Sequence, residues 1–269
     1  MMETGRLYIK PQFPASRSLI FLESTPAVTQ SQLVGAGILL AFALAAALAR
    51  RDGVGFASAA ALLGAAGVAA VAGGGMFGWL VDGEGFSSVG ALLGAIGAVA
   101  GHRRVFGARE TARILDVVTP GGFGALAMAR LGCLFEGCHF GARTSMAWAV
   151  RYEAPHPVWF HHVTQQVVDR GATTSAPVHP YPLYIVVPMA FMLLAACLVP
   201  GGYGRRAVLV VFGYALVRVV AEFFREPTTA VGLGVLSPGS VAGFALAALT
   251  ITYWWKDVRG AFQGGYDTR

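Results

Sequence analysis

Long apolar segments alternate with short polar stretches along most of this chain. A membrane span needs about 20 mainly apolar residues, and this pattern predicts seven spans. They cover residues 31–49, 56–81, 86–101, 115–136, 183–199, 207–224 and 238–255. The sequence therefore predicts an all-α, polytopic integral membrane protein with about seven transmembrane helices.

Small residues fill the second and third predicted spans. These spans contain the stretches ASAAALLGAAGVAAVAGGG and GALLGAIGAVAG. Glycine and alanine allow two helix backbones to approach each other closely within a bilayer. We therefore expect these two helices to pack directly against each other.

Most of the remaining polar sequence falls in two places. Residues 1–30 are an N-terminal arm without the long apolar region of a signal peptide. Residues 139–181 are the longest stretch between spans, and we expect a periplasmic segment that is either an interfacial rim or an ordinary connecting loop. No repeat or linker divides residues 31–269, which we take as a single transmembrane domain. We expect three histidines of the periplasmic segment to be solvated: His156, His161 and His162.

Basic residues collect at the ends of alternate spans. The clusters are Arg50 and Arg51, then Arg103, Arg104, Arg109 and Arg113, then Arg205 and Arg206, and finally Lys256 and Arg259. With seven spans, all of them fall on one side, and the positive-inside rule makes that side cytoplasmic. The N-terminus is then predicted to lie outside and the C-terminus in the cytoplasm.

The overall charge points to a membrane and not to nucleic acid. Charged residues are 13% of the chain, against about 25% in an ordinary soluble domain. The net charge of +6 comes with no basic run interleaved with aromatic residues. We therefore expect membrane lipid as a partner and no nucleic acid.

Arg130, Arg218 and Glu222 lie inside predicted spans, where a charge costs on the order of 2.5–3.5 kcal/mol. Arg218 and Glu222 are spaced i, i+4, so they share a helix face and can neutralise each other. Arg130 has no opposite charge at a similar spacing. Two guanidinium groups directed into a helix bundle suit a phosphate, because each is a planar, permanently charged donor. The alternative is that these side chains snorkel to the membrane surface.

Five sequence stretches resemble one family of membrane enzymes. They are FSSVGALLGAIGAVAGHRR (86–104), ILDVVTPGGFGALAMAR (114–130), ARLGCLFEGCHFG (129–141), VHPYPLY (178–184) and VRVVAEFFREP (217–227). Their order and spacing, over roughly residues 80–230, resemble the prolipoprotein diacylglyceryl transferases. The chain is identified as a divergent member of that family.

The resemblance implies a reaction in the bacterial inner (plasma) membrane without a cofactor. The diacylglyceryl group of phosphatidylglycerol moves to the lipobox cysteine of a prolipoprotein signal peptide, and glycerol phosphate leaves. Arg130 and Arg218 match the family's essential arginines, and Glu222 matches their partner acid. Further matched positions imply substrate binding at Gly141, Cys133 and His179, with Gly141 allowing close backbone approach.

The chain departs from the family at several positions that handle protons. Val89 stands where the family has His or Tyr, Cys138 where it has an acid, and Ile185 where it has a Glu. His139 is then the nearest replacement for the catalytic base. Two alternatives remain open, a paralogue with another acceptor and a non-catalytic phospholipid-binding protein.

Cys133, Cys138 and His139 also raise the question of a metal site. Five helical residues rotate a side chain by about 140°, so the two thiols are expected to diverge if this segment is helical. A structural zinc site prefers two closely spaced cysteines on a turn together with two more ligands. We therefore predict neither a metal site nor a redox pair here.

Overall fold

A computed structural model describes residues 20–22, 29–82 and 85–226. In chain order the elements are β1 (Ile20–Leu22), α1 (Gln30–Asp52), α2 (Phe56–Asp82), α3 (Ser88–Phe106), α4 (Ala108–Glu136), β2 (Val150–Tyr152), α5 (Pro157–Thr164), α6 (Tyr181–Leu198) and α7 (Arg205–Glu222). The six long helices coincide with the first six predicted spans, within a few residues at most ends. The largest difference is the start of α4, which lies at Ala108 instead of residue 115.

Four of the described helices are long and apolar enough to cross a membrane: α1, residues Phe56–Leu80 of α2, α4 and α6. Helices α3 and α7 contain 19 and 18 residues, but charged residues lower their apolar character. The predicted span at 238–255 lies outside the described residues. The protein is thus a mainly helical, polytopic membrane protein, and the number of seven spans stays a prediction.

The prediction of a purely helical protein is incomplete. Strand β1 from the N-terminal arm pairs in parallel with β2 from the segment at 139–181, with Ile20 opposite Val150 and Leu22 opposite Tyr152. The side chains of Val150, Tyr152, Val158 and Val178 form a small buried cluster. The segment between α4 and α6 is therefore more than a plain connecting loop, because it contains a small core of its own.

Two histidines of this segment were wrongly expected to be solvated. His156 and His162 are each only 1% exposed. His156 Nε2 is paired with the carbonyl oxygen of Phe135 at 3.0 Å, and the Ala176 amide donates to His162 Nδ1 at 3.2 Å. Hydrogen bonds to backbone groups take the place of water, which makes these rings part of the folded core.

Helices α2 and α3 pack closely, as their small residues predicted. A Cβ placed on Gly94 would lie 2.6 Å from the carbonyl carbon of Ala69. Helices α1 and α4 also approach closely, since a Cβ on Gly37 would lie 3.0 Å from the Cα of Ala125. Such contacts stabilise helix pairs where lipid gives no hydrophobic driving force.

Polar contacts join the helix ends at the side of the bundle where the described basic clusters lie. The carboxylate of Asp116 accepts hydrogen bonds from the amides of Gly202, Gly204 and Ala207 at 2.7, 3.0 and 3.1 Å. Arg206 forms an ion pair with Asp52. The end of α1 and the beginning of α7 therefore meet near the first half of α4, so the opposite side of the bundle holds the end of α4 and the end of α7.

Candidate functional site

Two arginines hold one carboxylate at the end of α7. Arg218 forms an ion pair with Glu222 one helical turn later. Arg225 lies just beyond the helix, and its Nη1 is 3.1 Å from the other carboxylate oxygen of Glu222. The side chains of Arg218 and Glu222 are 11% and 7% exposed. The predicted pairing within the sixth span is therefore formed and nearly buried.

Tyr181 connects this pair to α6. Arg218 Nη1 donates a hydrogen bond to the Tyr181 hydroxyl oxygen at 2.6 Å, and Tyr181 is 1% exposed. Tyr181 was missed in the sequence, although it follows the His-Pro pair directly at the start of an apolar run. An aromatic hydroxyl at a buried helix start is itself a signal, because it needs a polar partner.

Arg130, on α4, interacts electrostatically with the same tyrosine. The Tyr181 phenol is within electrostatic range of both Arg130 and Arg218. The Nε atom of Arg130 is buried and has no hydrogen-bond partner among the described residues. A buried, unpaired donor costs about 1–3 kcal/mol. The Arg130 side chain as a whole is only partly buried, so the described residues enclose its charge incompletely.

Gly141 lets three parts of the chain meet beside these residues. Its amide donates to the carbonyl oxygen of His179 at 3.1 Å, and the Ala142 amide donates to that of Phe224 at 2.9 Å. A Cβ on Gly141 would lie 2.6 Å from the Phe224 oxygen and 2.7 Å from the His179 oxygen. The turn after α4, the approach to α6 and the end of α7 therefore fit together only with glycine at this position.

His179 belongs to an aromatic group next to this junction. Its Nδ1 lies 2.9 Å from the Tyr184 hydroxyl, which also accepts a hydrogen bond from Trp148 Nε1 at 2.8 Å. The rings of His179 and Phe224 are in edge contact at 5.2 Å. Burial lowers the pKa of His179 below its ordinary value, which favours a neutral ring that orients its neighbours.

The thiols of Cys133 and Cys138 do not diverge, and the expectation from the sequence is wrong on this point. Helix α4 ends at Glu136, and Gly137 adopts a left-handed conformation with φ of +65°. The reversed chain brings Cys138 and His139 back towards Cys133, so that their ligand atoms lie within 4.8 Å of one another. Gly137 was the missed signal, because glycine commonly ends a helix in this way.

Ile185, one of the positions expected to differ from the family, is buried. The side chain is 0% exposed and packs in an apolar cluster with Met189, Ala221 and Tyr181. An ionised acid in this cluster would be costly to bury. At this position the chain has a packing residue beneath the polar site.

The fold and the site together define a polytopic helical membrane protein in which an arginine–glutamate ion pair contacts a buried tyrosine where three helices end or begin. The family model for prolipoprotein diacylglyceryl transferase matches residues 31–256. The chain belongs to the prolipoprotein diacylglyceryl transferase family, which confirms the resemblance carried by its motifs.

Curated relatives agree with this membership at modest identity. The phosphatidylglycerol–prolipoprotein diacylglyceryl transferases of Legionella pneumophila strains Corby and Lens are each 31% identical to the chain over 137 residues. The matched region is 48% of this chain and 46% of each relative. The chain thus spans about half the length of the curated relatives it matches.

Proposed function

We propose that this protein transfers the diacylglyceryl group of phosphatidylglycerol to the lipobox cysteine of prolipoproteins, in the bacterial inner membrane. The Legionella relatives are named for this reaction, and the family gives the transferase class. The observation that carries the proposal is that Arg218 donates a hydrogen bond to Tyr181 while Arg130 acts electrostatically on the same phenol. Such a pair of guanidiniums suits an anionic lipid headgroup.

The proposed chemistry is a displacement at carbon. The sulfur of the acceptor cysteine attacks the glyceryl carbon that carries the phosphate, a sulfur–carbon bond forms, and the carbon–oxygen bond breaks. Negative charge grows on the departing glycerol phosphate. Arg218, held in place by Glu222 and Tyr181, is a preorganised donor for this charge. Arg130, which is partly exposed, is proposed to offer its guanidinium to the same group.

The thiol must lose its proton before it becomes a good nucleophile. His139 is the proposed acceptor of that proton, and its Nδ1 lies 3.2 Å from Cys138 Sγ. Gly141, Cys133 and His179 are proposed to shape the pocket that holds the lipid and the peptide. Gly141 does so through close backbone contacts, and His179 through its hydrogen bond to Tyr184.

The proposed orientation follows from the charge distribution. The described basic clusters lie at one end of the bundle, and the positive-inside rule assigns that end to the cytoplasm. The arginine site at the opposite end then lies near the outer leaflet, together with the N-terminal arm. A cytoplasmic C-terminus further requires the predicted span at 238–255.

Mass spectrometry of a lipobox peptide tests the proposed reaction directly. The purified full chain is incubated with phosphatidylglycerol vesicles and the peptide, and we expect a diacylglyceryl thioether on the cysteine. A peptide with serine in place of cysteine is the matched control and should stay unmodified. The proposal is wrong if the cysteine peptide also stays unmodified while a complete family member modifies it under the same conditions.

Ile185 favours a second candidate, a phospholipid-binding protein without this activity or a paralogue with another acceptor. Its position holds a buried apolar side chain where the family has an acid. Under this alternative, phosphatidylglycerol binds and its binding requires Arg218, but no modified lipobox peptide forms. Binding measured beside product formation therefore separates the two candidates.

A further inference from the structure

The turn after α4 brings two thiols and one imidazole to a common point. Cys133 lies in the last turns of α4, while Cys138 and His139 follow the reversal at Gly137. Their ligand atoms all lie within 4.8 Å of one another. Around a tetrahedral zinc ion, ligand atoms are roughly 3.4–3.8 Å apart, given zinc–ligand bonds of about 2.0–2.3 Å. Small side-chain rotations are enough to close the difference.

We propose that Cys133, Cys138 and His139 bind one Zn²⁺ ion and leave its fourth position open. Thiolate and imidazole ligands together favour zinc among the divalent ions that prefer soft donors. Three protein ligands with one open position are the arrangement of catalytic zinc sites. Cys133 is buried and Cys138 is exposed, so the ion has one closed side and one side that a ligand can reach.

Neighbouring contacts fix the buried half of this site. The side-chain Nε2 of Gln30 donates to Cys133 Sγ at 3.5 Å, and the backbone amide of Gln30 donates to Glu136 Oε1 at 2.9 Å. These hydrogen bonds tie the start of α1 to the end of α4 and orient the first ligand. Outer hydrogen bonds of this kind are a regular feature of metal sites.

His139 favours a metal ion over a Cys133–Cys138 disulfide. A disulfide uses two sulfur atoms and gives the nearby imidazole no role, whereas a metal ion uses all three groups. The nitrogen Nδ1 of His139 lies 3.2 Å from Cys138 Sγ. This separation is close to the spacing of two ligands on one ion.

The position of the ion suggests its role, which rests on the proposed transferase function. Arg130 precedes Cys133 by one helical turn and interacts with it electrostatically. An acceptor cysteine bound at the open position would release its proton to solvent and attack as a metal-bound thiolate. The sulfur–carbon bond would form as the carbon–oxygen bond breaks, with glycerol phosphate leaving towards Arg130. In the zinc-loaded protein His139 is a ligand and the ion activates the thiol, whereas in the metal-free protein His139 keeps its proposed role of proton acceptor.

Metal loading of the full chain tests the site without reference to activity. After reduction, the protein in detergent is exposed to Zn²⁺ and then to Co²⁺. We expect one zinc per chain by elemental analysis and a thiolate-to-cobalt charge-transfer absorption. Cys138→Ser, an exposed position that should not affect folding, is expected to abolish the absorption, and His139→Ala to weaken binding at least about tenfold. Cys197→Ser is the matched control and should bind like the unaltered protein.

Two results would overturn the metal site. One is the absence of stoichiometric zinc in the reduced protein, and the other is equal zinc content in the unaltered protein and in Cys138→Ser. The role is tested by adding lipobox peptide to the cobalt-loaded protein, where the spectrum should change with the cysteine peptide and not with the serine peptide. Full transferase activity in metal-free protein would refute the role and leave the transferase intact. Metal binding without any transferase product would refute the proposed function and leave the metal site intact.

Discussion

Arg218 and Tyr181 lie on different helices and share a hydrogen bond of 2.6 Å from Nη1 to the tyrosine hydroxyl. The same guanidinium is also paired with Glu222. Two fixed partners hold Arg218 in one orientation, so binding of a phosphate would not require the side chain to be ordered first. Preorganised donors of this kind stabilise developing charge with little reorganisation.

Tyr181→Phe is expected to lower kcat/KM for the lipobox peptide by about 10–100-fold. The change removes one hydrogen bond to a charged group, worth about 1.5–3 kcal/mol, and leaves the ring packed. Product formation measured by mass spectrometry at several peptide concentrations checks this result. Tyr203→Phe is the control, since Tyr203 is 54% exposed at the other end of the bundle. Equal losses in both variants would contradict a specific role for Tyr181.

Arg130→Ala is expected to lower both the rate of transfer and the affinity for phosphatidylglycerol by at least about 100-fold. Arg130→Lys should recover part of the binding, because lysine restores the charge without the planar donor set. Vesicle binding with and without phosphatidylglycerol measures this effect. Arg143→Ala is the matched control, because Arg143 is an exposed arginine on the same side of the bundle. Unchanged lipid binding in Arg130→Ala would refute the anion site.

The long helices could be predicted from sequence because their apolar character is set locally, residue by residue. Arg218 and Glu222 could also be paired in advance, since their spacing on one helix fixes the contact. Tyr181 and the meeting of the thiols could not be predicted in this way. Both depend on where a helix begins or ends, and at Gly137 a single left-handed residue reverses the chain.

The small fold between α4 and α6 was also beyond prediction. Strand β1 has only three residues, and its partner lies more than a hundred residues later in the chain. Short strands that pair over such distances leave no periodic pattern. His156 and His162 were misjudged for the same reason, because the core that buries them is built from distant segments.

Gly141→Ala is expected to destabilise the protein by about 1–3 kcal/mol and to reduce transfer strongly. The added Cβ would lie 2.6 Å from a backbone oxygen of Phe224, and backbone cannot yield as a flexible side chain can. Thermal unfolding in detergent, together with peptide modification, measures both effects. Gly171→Ala is the control, because a Cβ there meets nothing within 4 Å. Similar behaviour of the two variants would show that the junction tolerates a side chain.

His162 should make the folded protein less stable in mild acid. Burial lowers the pKa of His162 to about 4, from an ordinary value of 6.5, with smaller contributions from His161 and Arg143. Above about pH 6.5 the ring is neutral in the folded and unfolded states. As the pH falls from 6.5 towards 4, the unfolded chain binds a proton that the folded protein does not bind, so the free energy of unfolding falls by up to about 3 kcal/mol.

Melting temperatures across this range should decrease for the unaltered protein and for the control His161→Asn, which keeps His162. His162→Asn retains an acceptor for the Ala176 amide but cannot be protonated, so its melting temperature should depend less on pH. An unchanged pH dependence in that variant would assign the acid sensitivity to other groups.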